Sequence, residues 1–258
     1  MKTMKRILFL TMFCMTFLMF SQMTTAAEPK TEKPKIKVLI VTGGHDFDEP
    51  EFYKMFDEMP GIVYEKATLP KDMDRLAPGL EKQFDVIVSY DMNRFPITDE
   101  QRANFAKLIE SGMPLVVFHH SIGGYENWPL YRDIAGGQYL EQPAEIDGKK
   151  VPASTYKHDI DMKITVADKN HPITKGVGDF TIHDEGYHNV FVKEGNHVLL
   201  TTDHPDGTKE VAWTHHYGKG PVFTIMLGHD KQSYTNPALR KLLKQGVEWC
   251  KAERPHQK

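Results

Sequence analysis

Three short apolar runs constrain the fold of this chain more than any other feature. KVLIVT (Lys37–Thr42), DVIVSY (Asp85–Tyr90) and LVVFH (Leu115–His119) are rich in β-branched residues and show little polar alternation. Strands of this kind are buried on both faces, as parallel strands are when helices cover each side of the sheet. The intervening segments have helical periodicity. Phe52, Met55, Phe56 and Met59 share one face before Pro60-Gly61 stops the run. Thr98 and Gln101 have the spacing of a capping box ahead of Phe105, Leu108 and Ile109, and Ser111-Gly112 ends that helix. Ile62–Lys66 is a weaker strand between them. Strand and helix in alternation imply right-handed crossovers and a parallel, doubly wound α/β sheet.

The pattern then changes. Met162–Val166 alternates as a half-buried strand should, His171-Pro172 reads as a turn, and Val198–Thr202 and Val211–Thr214 are further short strands. Tyr217-Gly218-Lys219-Gly220 has the composition of a hairpin turn leading into Pro221–Leu227. Asn236-Pro237 then opens a last helix with Leu239, Leu242, Leu243 and Val247 on one face. One domain, residues 36–254, with a β-rich insertion is therefore expected.

The N-terminus has the layout of an export signal. Lys2, Lys5 and Arg6 precede the apolar run Ile7–Phe20, and Thr25-Ala26-Ala27 offers small residues for cleavage before Glu28. The run is too short to span a bilayer comfortably, so no stable membrane insertion is expected after cleavage. Thr11-Met12-Phe13 before Cys14 matches a lipoprotein box poorly. Residues 28–35, rich in Lys, Glu and Pro, read as a flexible leader. The expected location is periplasmic or secreted.

The whole chain has 32 basic and 35 acidic residues; without Lys2, Lys5 and Arg6 the formal charge falls from −3 to −6. An acidic balance with no basic stripe argues against a nucleic-acid partner. Only Cys250 is left after cleavage, so the fold stands on its core without an intrachain disulfide.

Several of the 13 histidines sit where strands end. His45 follows the first strand, His119 and His120 the third, and His229 the last. In open α/β sheets ligands bind beyond the carboxyl ends of the strands, so these imidazoles are expected to share a cleft. HDEGYH (183–188) adds Asp184, Glu185, Tyr187 and His188, read as an irregular loop aimed at that cleft or, alternatively, as a solvated acidic loop. Its histidines have the wrong spacing for the HExxH zinc motif. Ser121 lies at a sharp strand-to-loop turn, but Gly-x-Ser-x-Gly is absent and serine catalysis is disfavoured. His215-His216 reads as exposed hairpin histidine, and His158, His171, His197, His204 and His256 as surface residues.

VTGGHDF (41–47), FHHSIGG (118–124), NWPLYRDIAGGQY (127–139), NHPITKGVGDFTIHDEGYH (170–188) and YGKGPVFTIMLGHD (217–230) occur in this order. Together they resemble the ThuA-like, trehalose-utilisation family over nearly the whole mature chain. The resemblance implies a flavodoxin-like fold of the class I glutamine-amidotransferase type, with His119 about where the amidotransferase cysteine would lie. It also implies a role in carbohydrate metabolism.

Two readings follow. In the first, the chain is an enzyme acting on a glycoside or 3-keto-glycoside. A ketone at C3 acidifies the C2 proton, Glu185, His119, Asp184 and Tyr187 supply the chemistry, and Tyr125, Trp128 and His120 bind substrate. A divalent metal such as zinc would be held by His45, His120, His188 and His229 with a carboxylate nearby. In the second, the protein binds sugar without catalysis, using Trp128, Tyr125 and Tyr187 as stacking platforms. Convergence of Glu185 with at least two histidines favours the enzyme.

Overall fold

The strand-end histidines lie along one rim because five parallel strands run towards it. The computed structural model describes residues 35–255; the expected export signal, most of the leader, Cys14 and His256 lie outside the described residues. Along the chain come β1 (Ile36–Gly43), α1 (Glu49–Asp57), β2 (Ile62–Thr68), β3 (Val86–Asp91), α2 (Asp99–Glu110) and β4 (Leu115–Phe118). A 3-10 turn over His119–Gly123 leads to α3 (Pro129–Ala135) and the short strands β5 (Gly137–Gln138), β6 (Ala144–Ile146) and β7 (Lys149–Val151). Then follow β8 (Thr155–Val166), β9 (Phe180–His188), β10 (Phe191–Val192), β11 (His197–Thr202), β12 (Glu210–Tyr217) and β13 (Gly220–Ile225). Helices α4 (Lys231–Tyr234) and α5 (Pro237–Glu253) close the domain.

Nine strands form one sheet in the order β2-β1-β3-β4-β13-β12-β11-β8-β9. The first five are parallel to one another, as the three apolar runs require. The remaining pairings are antiparallel, so the β-rich insertion extends the same sheet. Helices lie on both faces. On β13, Phe223 meets Gly246 of α5, whereas the neighbouring Thr224 hydroxyl donates to the Ala135 carbonyl of α3. Successive residues of a strand point to opposite faces, so α3 and α5 flank the sheet and the fold is doubly wound. The centres of the parallel strands are apolar: Val38–Val41, Val86–Val88 and Leu115–Phe118 are all fully buried.

The Thr98–Gln101 capping box forms as expected, and Asn236 caps α5 with its side chain on Ala238 and Leu239 N–H. Two expectations need correcting. HDEGYH is the end of a nine-residue strand, β9, and not a loop. Asp184 through Tyr187 are all buried, so the polar-out alternation that marks a surface strand is missing. His215 is also not an exposed hairpin residue. It packs under α3, with Nε2 against the Asp133 and Ile134 carbonyls, and burial brings its pKa down to about 4.

Candidate active site

Counting orientations across the antiparallel pairings, β9 runs the same way as the parallel strands. Its carboxyl end therefore reaches the rim that carries His45, His119, His120 and His229. Pairing with β8 shifts register between Lys157 and Ile160, with Asp159 in the left-handed region at φ 55°. Such a bulge bends a ribbon and re-aims its side chains. Asp184 ties the bent strand down: its carboxylate accepts from the Gly228 and His229 N–H groups, at 2.7 and 2.9 Å, and from Glu185 N–H. Gly228 permits that close turn, because its φ is +114° and a Cβ there would meet the Phe118 ring.

The tether brings three ligand atoms together. His119 Nε2 lies 3.1 Å from Glu185 Oε2 and 3.2 Å from His229 Nδ1, and the last two atoms are 3.3 Å apart. Tyr187 hydroxyl adds a fourth polar atom 2.9 Å from His119 Nε2. His119 takes this position at a strained elbow, with φ 50° immediately after β4. A non-glycine residue in that region costs about 1–3 kcal/mol and persists only where its surroundings hold it. Here the hold is the bond between His119 Nδ1 and the Met226 carbonyl, at 2.7 Å. The carbonyl can only accept, so Nδ1 carries the hydrogen and Nε2 faces Glu185.

Charge is divided unevenly within the cluster. Burial alone would lower the His119 pKa, but the Glu185 hydrogen bond and the Asp184 and Glu185 charges raise it. Burial would raise the Glu185 carboxyl, yet the hydrogen bond and charge of His119, with His229 adding to them, bring it down to about 2. His229 falls to about 4 through burial and the neighbouring His119 charge. Free of other ligands, the arrangement favours an ionised Glu185 against His119, beside a neutral His229 imidazole.

A cleft of about 420 Å³ opens over this cluster, lined by residues that include Glu185, Tyr187, His45 and His120. His119 is fully buried behind Glu185 and does not line it. Its Nε2 meets Glu185 from behind the cleft wall, and the Asp184 carboxylate is taken up by the loop it tethers. His120 donates from Nε2 to the Tyr90 carbonyl at 3.0 Å, while its Nδ1 lies buried without a partner under the stacked ring of His45, centroids 4.6 Å apart. Burial, together with the charges of His119 and His45, holds its pKa well below the usual imidazole range.

Three expected residues are not brought in. Glu185 and Tyr187 share one face of β9, so His188 points away, and its charge is felt by Asp206 instead. Tyr125 and Trp128 are buried around Phe105, with ring centroids 6.0 and 6.1 Å from it, and border a separate hollow. Neither offers a face to the main cleft. Conversely, His158 reads as a surface residue in sequence but stands at the cleft, Nδ1 3.4 Å from Glu185 Oε1 and its ring 4.7 Å from that of His229. Its alternate-residue spacing from Tyr156 on β8 was the available signal, and it was hidden by the bulge.

The ThuA family, described as trehalose utilisation, matches residues 37–250. The chain belongs to the ThuA family. Solved structures agree on the fold of this ThuA protein. A ThuA-like protein from Parabacteroides merdae is 20% identical, with TM-score 0.70 over 88% of this chain and 93% of that one. A ThuA-like protein from Bacteroides uniformis is 19% identical, with TM-score 0.64 over 86% and 94%. A protein from Salmonella typhimurium described as cytoplasmic is 14% identical, with TM-score 0.57 over 83% and 99%. No curated protein matches the chain. Membership of ThuA places the chain in carbohydrate metabolism. Among the described residues, no helix is long and apolar enough to cross a membrane.

Proposed function

We propose that this ThuA protein is an exported enzyme that acts on a glycoside or 3-keto-glycoside by acid–base chemistry centred on Glu185. The observation that carries the proposal is the convergence of Glu185 with His119 and His229 within 3.3 Å at the wall of a cleft. Of the platforms a sugar-binding protein would use, Tyr125 and Trp128 lie outside the cleft, and Tyr187, which lines it, is buried with its hydroxyl against His119.

The charge state favours a substrate with an acidified carbon. A carboxylate whose pKa is about 2 is a weak base towards an ordinary C–H bond. A ketone at C3 lowers the demand by stabilising the charge left at C2. Substrate filling the cleft also excludes water, which raises the basicity of the carboxylate. In this reading Glu185 takes the C2 proton and His119 holds the carboxylate ionised and aimed. His158, half exposed beside Glu185, exchanges protons between the cleft and water. Elimination of the C1 substituent and isomerisation share this first step; addition of water at C1 of the resulting enone runs through the same enolate in reverse, with Glu185 returning the proton to C2.

A divalent ion such as zinc belongs to the same proposal, with His119, Glu185 and His229 as its ligands in place of the four-histidine set read from sequence. Their atoms are 3.1, 3.2 and 3.3 Å apart. Tetrahedral zinc bonds of about 2.0–2.1 Å separate neighbouring ligand atoms by about 3.3 Å, so two nitrogens and one oxygen at these distances fit the ion. When bound, it would polarise a substrate carbonyl.

The test is to incubate purified protein with paired glycosides and 3-keto-glycosides, with and without chelator, alongside Glu185→Gln. Turnover of a keto substrate that disappears in Glu185→Gln is expected. Sugar binding without turnover of any member would instead identify a binding protein. Full activity in a preparation shown to be metal-free by elemental analysis would remove the ion. Export is tested by fractionating cells that express the full chain; retention of the uncleaved chain in the cytoplasm would refute it.

A further inference from the structure

The main cleft has two ends that differ in chemistry. The inner end holds Glu185, Tyr187 and the imidazoles already described. The outer end holds Tyr156, which is 60% exposed. Of the exposed large hydrophobic side chains among the described residues, Tyr156 alone borders this cleft. Exposed apolar area at the mouth of a concave, otherwise polar site marks a surface that a ligand covers.

The position of Tyr156 follows from strand pairing. It is the register partner of Tyr187, so the two side chains stand on the same face of the β8–β9 ribbon. Tyr187 is buried with its hydroxyl in the reacting cluster, whereas Tyr156, beside it on β8, is exposed. From His229 the rings continue outward in sugar-sized steps: 4.7 Å between centroids to His158, then 5.2 Å to Tyr156. The His158 contact is T-shaped, and Tyr156 stays 60% exposed beside it. Arg94 and Glu141 also line the cleft, paired at 2.5 Å, and supply polar groups suited to ring hydroxyls. The cleft volume, about 420 Å³, exceeds what a single pyranose ring fills.

We propose that Tyr156 is the platform of an outer subsite that stacks the leaving-group ring of a two-ring glycoside, while the inner cluster holds the reacting ring. This rests on the glycoside reading of the inner site. The ligand chemistry is a ring with one apolar face, either the C–H face of a second sugar or an aryl group. The tyrosine ring covers that face, and its hydroxyl stays at the wet edge.

Calorimetric titration of the full protein tests the subsite. The ligands are glucose and methyl glucoside as one-ring probes, and trehalose, cellobiose and the p-nitrophenyl glucosides as two-ring probes, each with its 3-keto form. Wild type is expected to prefer two-ring ligands. Tyr156→Ala should weaken them about tenfold and leave one-ring affinity unchanged, while Tyr156→Phe retains most of the preference. Circular dichroism establishes that both variants are folded. A stronger effect on the p-nitrophenyl compounds than on the disaccharides would assign the subsite to aryl groups, and the reverse to sugars. Equal weakening of one- and two-ring ligands, unchanged two-ring affinity, or no preference in wild type would each overturn the outer subsite. One-ring binding and Glu185-dependent turnover would survive that result. Absence of any glycoside binding would instead sink the reading of the inner site on which the subsite depends.

Discussion

The parallel half of the sheet and its antiparallel extension contribute to the same site by different means. In the parallel half, β1, β4 and β13 each end at the rim, and the short segments that follow them carry histidines there. His45, His120 and His229 arrive in this way. In the extension, Glu185, Tyr187 and His158 lie on long strands that would run past the rim without a bulge and a tether. The first half supplies a frame that many side chains could occupy. The second supplies the carboxylate on which the proposed chemistry rests.

That division can be broken most severely at Glu185. Glu185→Gln keeps the shape of the side chain and removes its charge, so turnover of a 3-keto-glycoside should fall on the order of 10²–10⁴-fold. Near-wild-type turnover would move the chemistry back to the parallel half. The join between the halves comes next. In Asp184→Asn an amide N–H replaces one acceptor facing the Gly228 or His229 N–H. The expected loss is about 2–3 kcal/mol in a urea titration, with turnover reduced as well. An unchanged midpoint would mean that the loop holds its shape without the carboxylate.

A pH titration of stability sharpens the comparison further, because the extension has its own buried imidazole. His215 titrates at about 4 in the folded protein and near 6.5 when unfolded. Between these values the unfolded chain binds the proton and the folded chain does not. Stability should therefore decline as pH falls from about 6.5 to about 4, by up to roughly 3 kcal/mol. His215→Asn should flatten this part of the profile; an unchanged slope there would assign the loss to other groups. The smallest effect lies far from the site in the parallel half. Thr98→Ala removes the side-chain half of the α2 capping box and should cost about 1 kcal/mol with turnover unaltered. A loss of activity would show that α2 reports to the cleft.

The same two regions differed in how legible they were. Gly43-Gly44 after the first apolar run, Thr98 with Gln101, and Asn236-Pro237 are local signals, and each formed the turn or cap its residues encode. His45, His120 and His229 followed from the rule that ligands gather at carboxyl ends. HDEGYH did not read as a strand because four successive buried residues erase the alternation on which such a reading depends. His158 reaches the cleft at a bulge whose local sequence gives no clear warning, and Tyr156 reaches it through its register with Tyr187. Tyr125 and Trp128 were misplaced for a related reason. Aromatic residues near Gly123-Gly124 look like a loop platform, and only the packing of Phe105 against them shows that they belong to the core.

The place of the insertion in the chain also governs how the protein is made. His119, at the end of β4, and Met226, at the end of β13, are 107 residues apart, yet β4 and β13 are neighbours at the centre of the sheet. Closing a loop of that length costs about 4 kcal/mol in chain entropy before the first central hydrogen bond repays it. Until β13 leaves the ribosome, the fully apolar β4 has one unpaired edge, a surface prone to pairing with other chains. The centre of the sheet is thus completed late, with the strained His119 elbow waiting for its Met226 carbonyl until most of the chain has been synthesised.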